Sequence, residues 1–128
     1  MSVRVVLLSH SADVARGVAD LAGQVAGSAR LVAVGGTADG RLGTDADALE
    51  QALRTAVAEG EEVAVLVDLG SAVLTARSVL LDLEDAAVTL VDAPFLEGAV
   101  AAAVTASTGA GLAEVVAQAE LARDLRKR

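Results

Sequence analysis

Three small polar residues, Ser9-His10-Ser11, close an apolar run that begins at Val3, and His10 is the only histidine among 128 residues. Imidazole is the side chain whose unperturbed charge change falls near neutral pH, and its neutral form is a nucleophile. A serine on each side, where a helix begins, adds donors for an anion, because free backbone N–H groups at a helix start favour phosphate. A second aliphatic run ends at Val67 and is followed at once by Asp68. A carboxylate that accepts a hydrogen bond from one ring nitrogen fixes the tautomer and leaves the other nitrogen free to attack. That pairing requires the two runs to be neighbouring strands. Asp68 suits equally an N-cap for the helix that follows. The chemistry in view is capture of a phosphoryl group by His10.

The elements that must position these residues follow from the hydrophobic pattern. Val3 to Leu8, Arg30 to Gly35, Glu62 to Val67 and Ala87 to Val91 are near-continuous aliphatic runs, as in parallel strands buried on both faces. Helical spacing lies between them. Val14, Val18, Leu21 and Val25 predict the buried face of the first helix, and Leu49, Ala52, Leu53, Ala56 and Val57 that of the second. Thr44 with Asp47 predicts the second helix's N-cap, and Gly27 and Gly60 stand where the first two helices end. A third helix is expected from about Ser71 to Leu83. A fourth follows Pro94 and runs to about Ala106, and a last one carries Leu112, Val115, Val116 and Ala119. The uncharged stretch around Val100 to Val104 fits either the core or an interface between subunits. Alternation of this kind predicts an α/β fold: one domain over residues 1–128, an open parallel four-stranded sheet with helices on both faces and its function at the carboxyl ends of the strands.

Composition narrows the function classes. Ten basic against eighteen acidic residues give a net charge of −8, which repels nucleic acid and anionic membranes. No stretch is long and apolar enough to predict a membrane span, and the N-terminus reads as a strand rather than a signal peptide. The absence of cysteine excludes disulfides and thiol chemistry and suits a cytoplasmic protein. Arg123, Arg126, Lys127 and Arg128 read as a cluster complementing a helix C-terminus. The only lysine, Lys127, is in no position to complete a Walker loop, and no Gly triplet follows the first strand as a dinucleotide fingerprint needs. A zinc site lacks ligands, so no metal and no cofactor are expected, although carboxylates alone leave magnesium open. There is no Gly-x-Ser-x-Gly elbow for a hydrolase. A receiver domain wants an acidic pair after strand one and a lysine near the last strand, and this chain has neither.

Taken in order, "SHS", "GGTADGRLGT", "VLVDLGSAVLTAR" and "DAPFLEGA" resemble the phosphocarrier subunits of phosphoenolpyruvate-dependent dihydroxyacetone kinases, relatives of the mannose-type IIA domains of the sugar phosphotransferase system. The resemblance spans essentially the whole chain. It implies a sheet of order 2-1-3-4, which makes strands one and three neighbours, and a homodimer. It implies that His10 takes a phosphoryl group from the histidine-containing phosphocarrier protein HPr. The group then passes to ADP held on the kinase's nucleotide-binding subunit, and on to dihydroxyacetone. Mannose-type transport domains tend to follow the strand-three Asp with Gly-Gly-Ser/Thr-Pro. Here Leu69-Gly70-Ser71-Ala72 follows without proline, which favours the dihydroxyacetone branch. Some relatives carry HPr-like and enzyme I-like domains on the same chain. This one stops at Arg128, so those partners are expected as separate proteins.

On this reading His10 is the phosphoryl acceptor and Asp68 orients its ring. Ser11, Thr37 and Ser71, with nearby loop amides, are expected to bind phosphoryl oxygens. Arg41, in the loop with four glycines, offsets phosphoryl charge or meets an acidic side chain of a partner. The alternatives are a IIA domain of a mannose-family sugar transporter, with the same His10 chemistry and a membrane-complex acceptor, and a regulatory module in which phosphorylated His10 alters binding without onward transfer.

Overall fold

The computed structural model describes residues 2–128. Four strands, β1 (Val3–Ser9), β2 (Arg30–Gly35), β3 (Glu62–Val67) and β4 (Val88–Leu90), alternate with helices α1 (Ala12–Val25), α2 (Ala46–Ala58) and α3 (Gly70–Leu83). Helices α4 (Phe95–Ser107) and α5 (Leu112–Leu121) and a 3₁₀ turn (Ala122–Asp124) complete the chain. The strands form one parallel sheet of order β2-β1-β3-β4, as the resemblance implied. β1 and β3 are paired in register from Val3–Glu62 to Leu8–Val67, so the residues that follow them emerge side by side.

The two-faced burial inferred from the aliphatic runs holds along β1, all seven residues of which are buried, and along most of β3. It does not hold along the edge strand β2, where only Val34 is buried. Val6 and Leu8 join Leu49 and Leu53 of α2 and Ala72, Ala76 and Val79 of α3 on one face. Val5 and Leu7 join Val18 of α1, Ala99 and Ala102 of α4, and Val115 and Ala119 of α5 on the other. Each fully buried Val or Leu contributes about 1.5–3 kcal/mol. His10 therefore follows directly on a strand held in the core on both of its faces.

Three further expectations need correction. The buried face of α1 is Ala15, Val18 and Ala22, not the Val14-Val18-Leu21-Val25 stripe. Ala22 and Ala26 pack against Ala103 of α4, so alanines make the centre of that helix contact, with Val100 and Leu31 at its edge. Val14, Leu21 and Val25 are turned outward and are roughly half exposed. The N-cap of α2 is Asp45, whose carboxylate accepts the Ala48 N–H at 3.1 Å, whereas Thr44 hydrogen-bonds Thr75 of α3 at 2.8 Å. β4 is one residue shorter than expected at each end: Asp85 takes the Ala87 and Val88 amides at its start, while the Ala87 carbonyl and the Val91 amide still bond to Val63 and Val65 of β3. The stretch around Val100 to Val104 lies on α4. Ala102 and Ala103 are buried, Val100 packs beside Ala22 and Ala26, and Val104 faces outward. Of the basic tail, Arg123 does bind the end of α5, donating to the Glu120 carbonyl, while Lys127 pairs with Glu97 of α4.

At the amino edge of the sheet Arg4 is buried and holds two carboxylates, Glu59 at 2.5 Å and the buried Glu61. Glu61 also accepts from Arg30 at 3.0 Å and from Ser2 at 3.2 Å. A buried guanidinium stripped of its partner is strongly destabilising. Glu61→Ala is expected to cost about 3–5 kcal/mol in urea unfolding. A loss below about 1 kcal/mol would mean that exposed Glu59 alone compensates Arg4. The network lies about 20 Å along β1 from His10, so phosphoryl uptake by the folded fraction is expected to be unchanged.

Candidate functional site

β1 delivers His10 and β3 delivers Asp68, 58 residues later in the chain, to adjacent positions on the carboxyl rim. The imidazole Nδ1 lies 2.9 Å from Asp68 Oδ1. Asp68 is not the cap of α3, since the N-cap position is Leu69 and carries no side-chain bond. The open choice between cap and ring partner is thus resolved in favour of the ring. The carboxylate gathers three further donors: Leu69 N–H to Oδ1 at 2.7 Å, and His10 N–H at 3.0 Å and Ser9 O–H at 2.8 Å to Oδ2. Burial opposes ionisation of Asp68, but the bonds from the His10 amide and ring, Ser9 and Leu69 outweigh it and hold the carboxyl below the ordinary carboxylate range.

An ionised carboxylate only accepts, so the ring proton resides on Nδ1 and the lone pair on Nε2. Nε2 is met by the Ser71 hydroxyl, which donates to it. Ser71 lies in the first turn of α3, where the Gly70 and Ser71 amides find no acceptor among the described residues. The free nitrogen therefore faces a hydroxyl and unsatisfied N–H groups, the surroundings that stabilise phosphoryl oxygens. About a quarter of the His10 side chain is exposed, so another protein can reach it directly.

Of the other expected residues, Ser11 caps α1, accepting the Val14 N–H at 3.2 Å. Thr37 organises the loop between β2 and α2, where its hydroxyl accepts the Arg41 N–H at 3.0 Å and bonds Asp39. Arg41 is 81% exposed and pairs with Asp39 at 2.8 Å. The structure brings His10, Asp68 and Ser71 together. It leaves the Ser11 and Thr37 hydroxyls committed to their own turns. The loop reaches the site through its main chain, with Gly43 N–H donating to the His10 carbonyl at 2.8 Å and Gly36 N–H to the Ser9 carbonyl at 3.3 Å. Two glycines make this fit possible. A Cβ on Gly35 would lie 2.5 Å from the Ser11 carbonyl oxygen, and Gly43, at φ 144°, would place one 2.8 Å from the Thr37 methyl.

Ser9, expected to offer its hydroxyl to an anion, is instead buried with that hydroxyl turned to Asp68. No group of three or more His, Asp or Glu side chains among the described residues is placed to hold a metal. No helix among them is long and apolar enough to cross a membrane.

The chain matches the family model described as "PTS system fructose IIA component" over residues 4–116. It is 39% identical over 99 residues to the phosphoryl donor subunit DhaM of PEP-dependent dihydroxyacetone kinase 1 from Listeria innocua, covering 77% of each chain. To the corresponding DhaM subunit of Escherichia coli it is 36% identical over 132 residues, a match that takes in 98% of this chain and 28% of that longer relative. Among solved structures it resembles a protein of unknown function, EF1359, with a TM-score of 0.83, 32% identity and 94% of each chain covered.

Proposed function

This chain belongs to the phosphotransferase-system IIA family and, within it, to the DhaM phosphoryl donor subunits; from that premise we propose that it carries a phosphoryl group on His10 for a phosphoenolpyruvate-dependent dihydroxyacetone kinase. HPr is the proposed donor, and ADP on the kinase's nucleotide-binding subunit the proposed acceptor. The observation that carries the reading is the Asp68 contact at Nδ1, which leaves Nε2 as the nucleophile beside Ser71 and the start of α3.

In the first step the Nε2 lone pair forms a bond to phosphorus as the donor's N–P bond breaks, and the donor's imidazole departs with that electron pair. Positive charge grows on the His10 ring, and Asp68 stabilises it through Nδ1–H. Ser71 swings its O–H from Nε2 to a phosphoryl oxygen, where the free amides of Gly70 and Ser71 join it. In the second step a terminal phosphate oxygen of ADP attacks the same phosphorus, and the Nε2–P bond returns its electrons to the ring. Positioning and electrostatics supply most of the rate in such transfers, and the carrier emerges unchanged. In this scheme Ser11 and Thr37 serve through the main chain they hold in place, and Arg41, on the exposed loop, meets the partner. A homodimer in the cytoplasm completes the proposal; a light-scattering mass equal to one chain would remove the dimer from it.

Intact-mass analysis tests the relay. Incubation with phosphoenolpyruvate, enzyme I and HPr is expected to add one acid-labile phosphoryl group, which leaves when the ADP-loaded kinase subunit is added. A group that appears and stays points to a sugar-transport acceptor or to a sensor, and one that never appears overturns the carrier reading.

A further inference from the structure

We propose that Ser9 is a positioning residue for the phosphoryl acceptor, fixing the Asp68 carboxylate so that the His10 ring holds a single tautomer. The inference rests on the carrier reading above and goes beyond it by assigning the group that sets the acceptor's proton.

Ser9 is fully buried at the end of a strand whose other members are Val, Arg and Leu. A hydroxyl so placed must find its partners inside the protein. It has two, with opposite roles. Its oxygen accepts the Ser11 N–H at 3.1 Å, and its proton goes to Asp68 Oδ2 at 2.8 Å. The amide can only donate and the carboxylate only accept, so Ser11 N–H donates to the Ser9 oxygen, Ser9 O–H donates to Asp68, and His10 Nδ1–H donates to Asp68 from the other side. Ser9 thus ties the first turn of α1 to the residue that follows β3, through the carboxylate that holds the ring. Asp68 Oδ2 retains only the His10 main-chain N–H if the hydroxyl is removed. The carboxylate is then freer to turn about its terminal torsion, and Oδ1 no longer holds Nδ1–H in one geometry. The fraction of His10 with its lone pair on Nε2 falls, and with it the fraction able to attack.

With one histidine in the chain, long-range ¹H–¹⁵N NMR reads this imidazole without overlap. The wild type is expected to show a protonated-type Nδ1 and a lone-pair-type Nε2. Ser9→Ala removes the hydroxyl, and Ser9→Cys fills its volume with a much weaker donor, so the pair separates lost packing from the lost hydrogen bond. Both variants are expected to show averaged ring nitrogens. Each should accept phosphoryl about ten- to a hundredfold more slowly, the scale known for removing an outer hydrogen-bond partner of a metal-bound histidine. A variant that stays folded and keeps the wild-type tautomer overturns the proposal, whether its rate falls or not. So does an altered tautomer with a wild-type rate. If one variant does not fold, the other decides. Should the wild type take up no phosphoryl group, the carrier reading fails instead, and the tautomer comparison still judges whether Ser9 positions the ring.

Discussion

His10→Ala is expected to take up no phosphoryl group from HPr while folding as the wild type does. The chain has no second histidine, so no other side chain can carry the phosphoryl group on an imidazole nitrogen. The ring lies on the rim, outside both main core clusters, so its removal deletes hydrogen bonds rather than packing. Asp68 is not orphaned by the change. The Ser9 hydroxyl, the Leu69 amide and the main-chain N–H of residue 10 still reach it. The loss of stability should therefore stay near 1 kcal/mol, the scale of one hydrogen bond. Intact mass after incubation with the donor system, with thermal unfolding as control, checks both halves. Uptake at the wild-type rate would mean that another residue is the acceptor. An unfolded variant would mean that the imidazole is part of the scaffold.

The parts of this molecule that could be read from the chain were those in which one physical rule acts alone. The central strands β1 and β3, buried on both faces, are aliphatic almost throughout and showed as runs. The edge strands β2 and β4 showed as runs although only Val34 and Val88 of them are buried. Gly60, at φ 80°, ends α2 because few other residues accept that backbone. The face of α1 was misread because size alternates against burial. Alanines make the centre of its contact with α4, while Val14, Leu21 and Val25 turn outward, the reverse of the usual weighting. Asp68 illustrates a second limit. Its residue type and its place after a strand fitted a cap and a ring partner equally, and only the pairing of β1 with β3 decides between them. The sheet order itself came from family resemblance, not from periodicity. The loop "GGTADGRLGT" looked like an anion cradle because glycines are common in such loops. Here Gly35 and Gly43 answer instead to close approach by Ser11 and Thr37, and the Thr37 hydroxyl is spent within the turn.

Asp68→Ala is expected to slow phosphoryl uptake by about 10²–10⁴-fold, the range for losing a positioned acid–base group. Two contributions vanish together: the acceptor that keeps the proton on Nδ1, and the negative charge facing the ring as it becomes cationic. Asp68→Asn separates shape from charge and is expected to fare little better. Each carboxylate oxygen accepts a main-chain N–H, from Leu69 at Oδ1 and from His10 at Oδ2. Whichever way the carboxamide turns, its NH₂ therefore opposes an amide donor. In one orientation that NH₂ also faces Nδ1, which favours the tautomer with the proton on Nε2 and removes the nucleophile. The stability difference between wild type and Asp68→Asn has a defined pH dependence. The folded-state pKa is depressed, so Asp68's contribution is complete above its unfolded value of about 3.9 and disappears as pH falls through the lower folded value. The difference in urea midpoints should therefore be constant from neutral pH down to about 3.9 and narrow as pH falls below it, and rapid-quench uptake at neutral pH supplies the rate. A variant that transfers as fast as the wild type would reduce Asp68 to a clamp between the ends of β1 and β3. His10 would then owe its reactivity to Ser71 and the start of α3 alone.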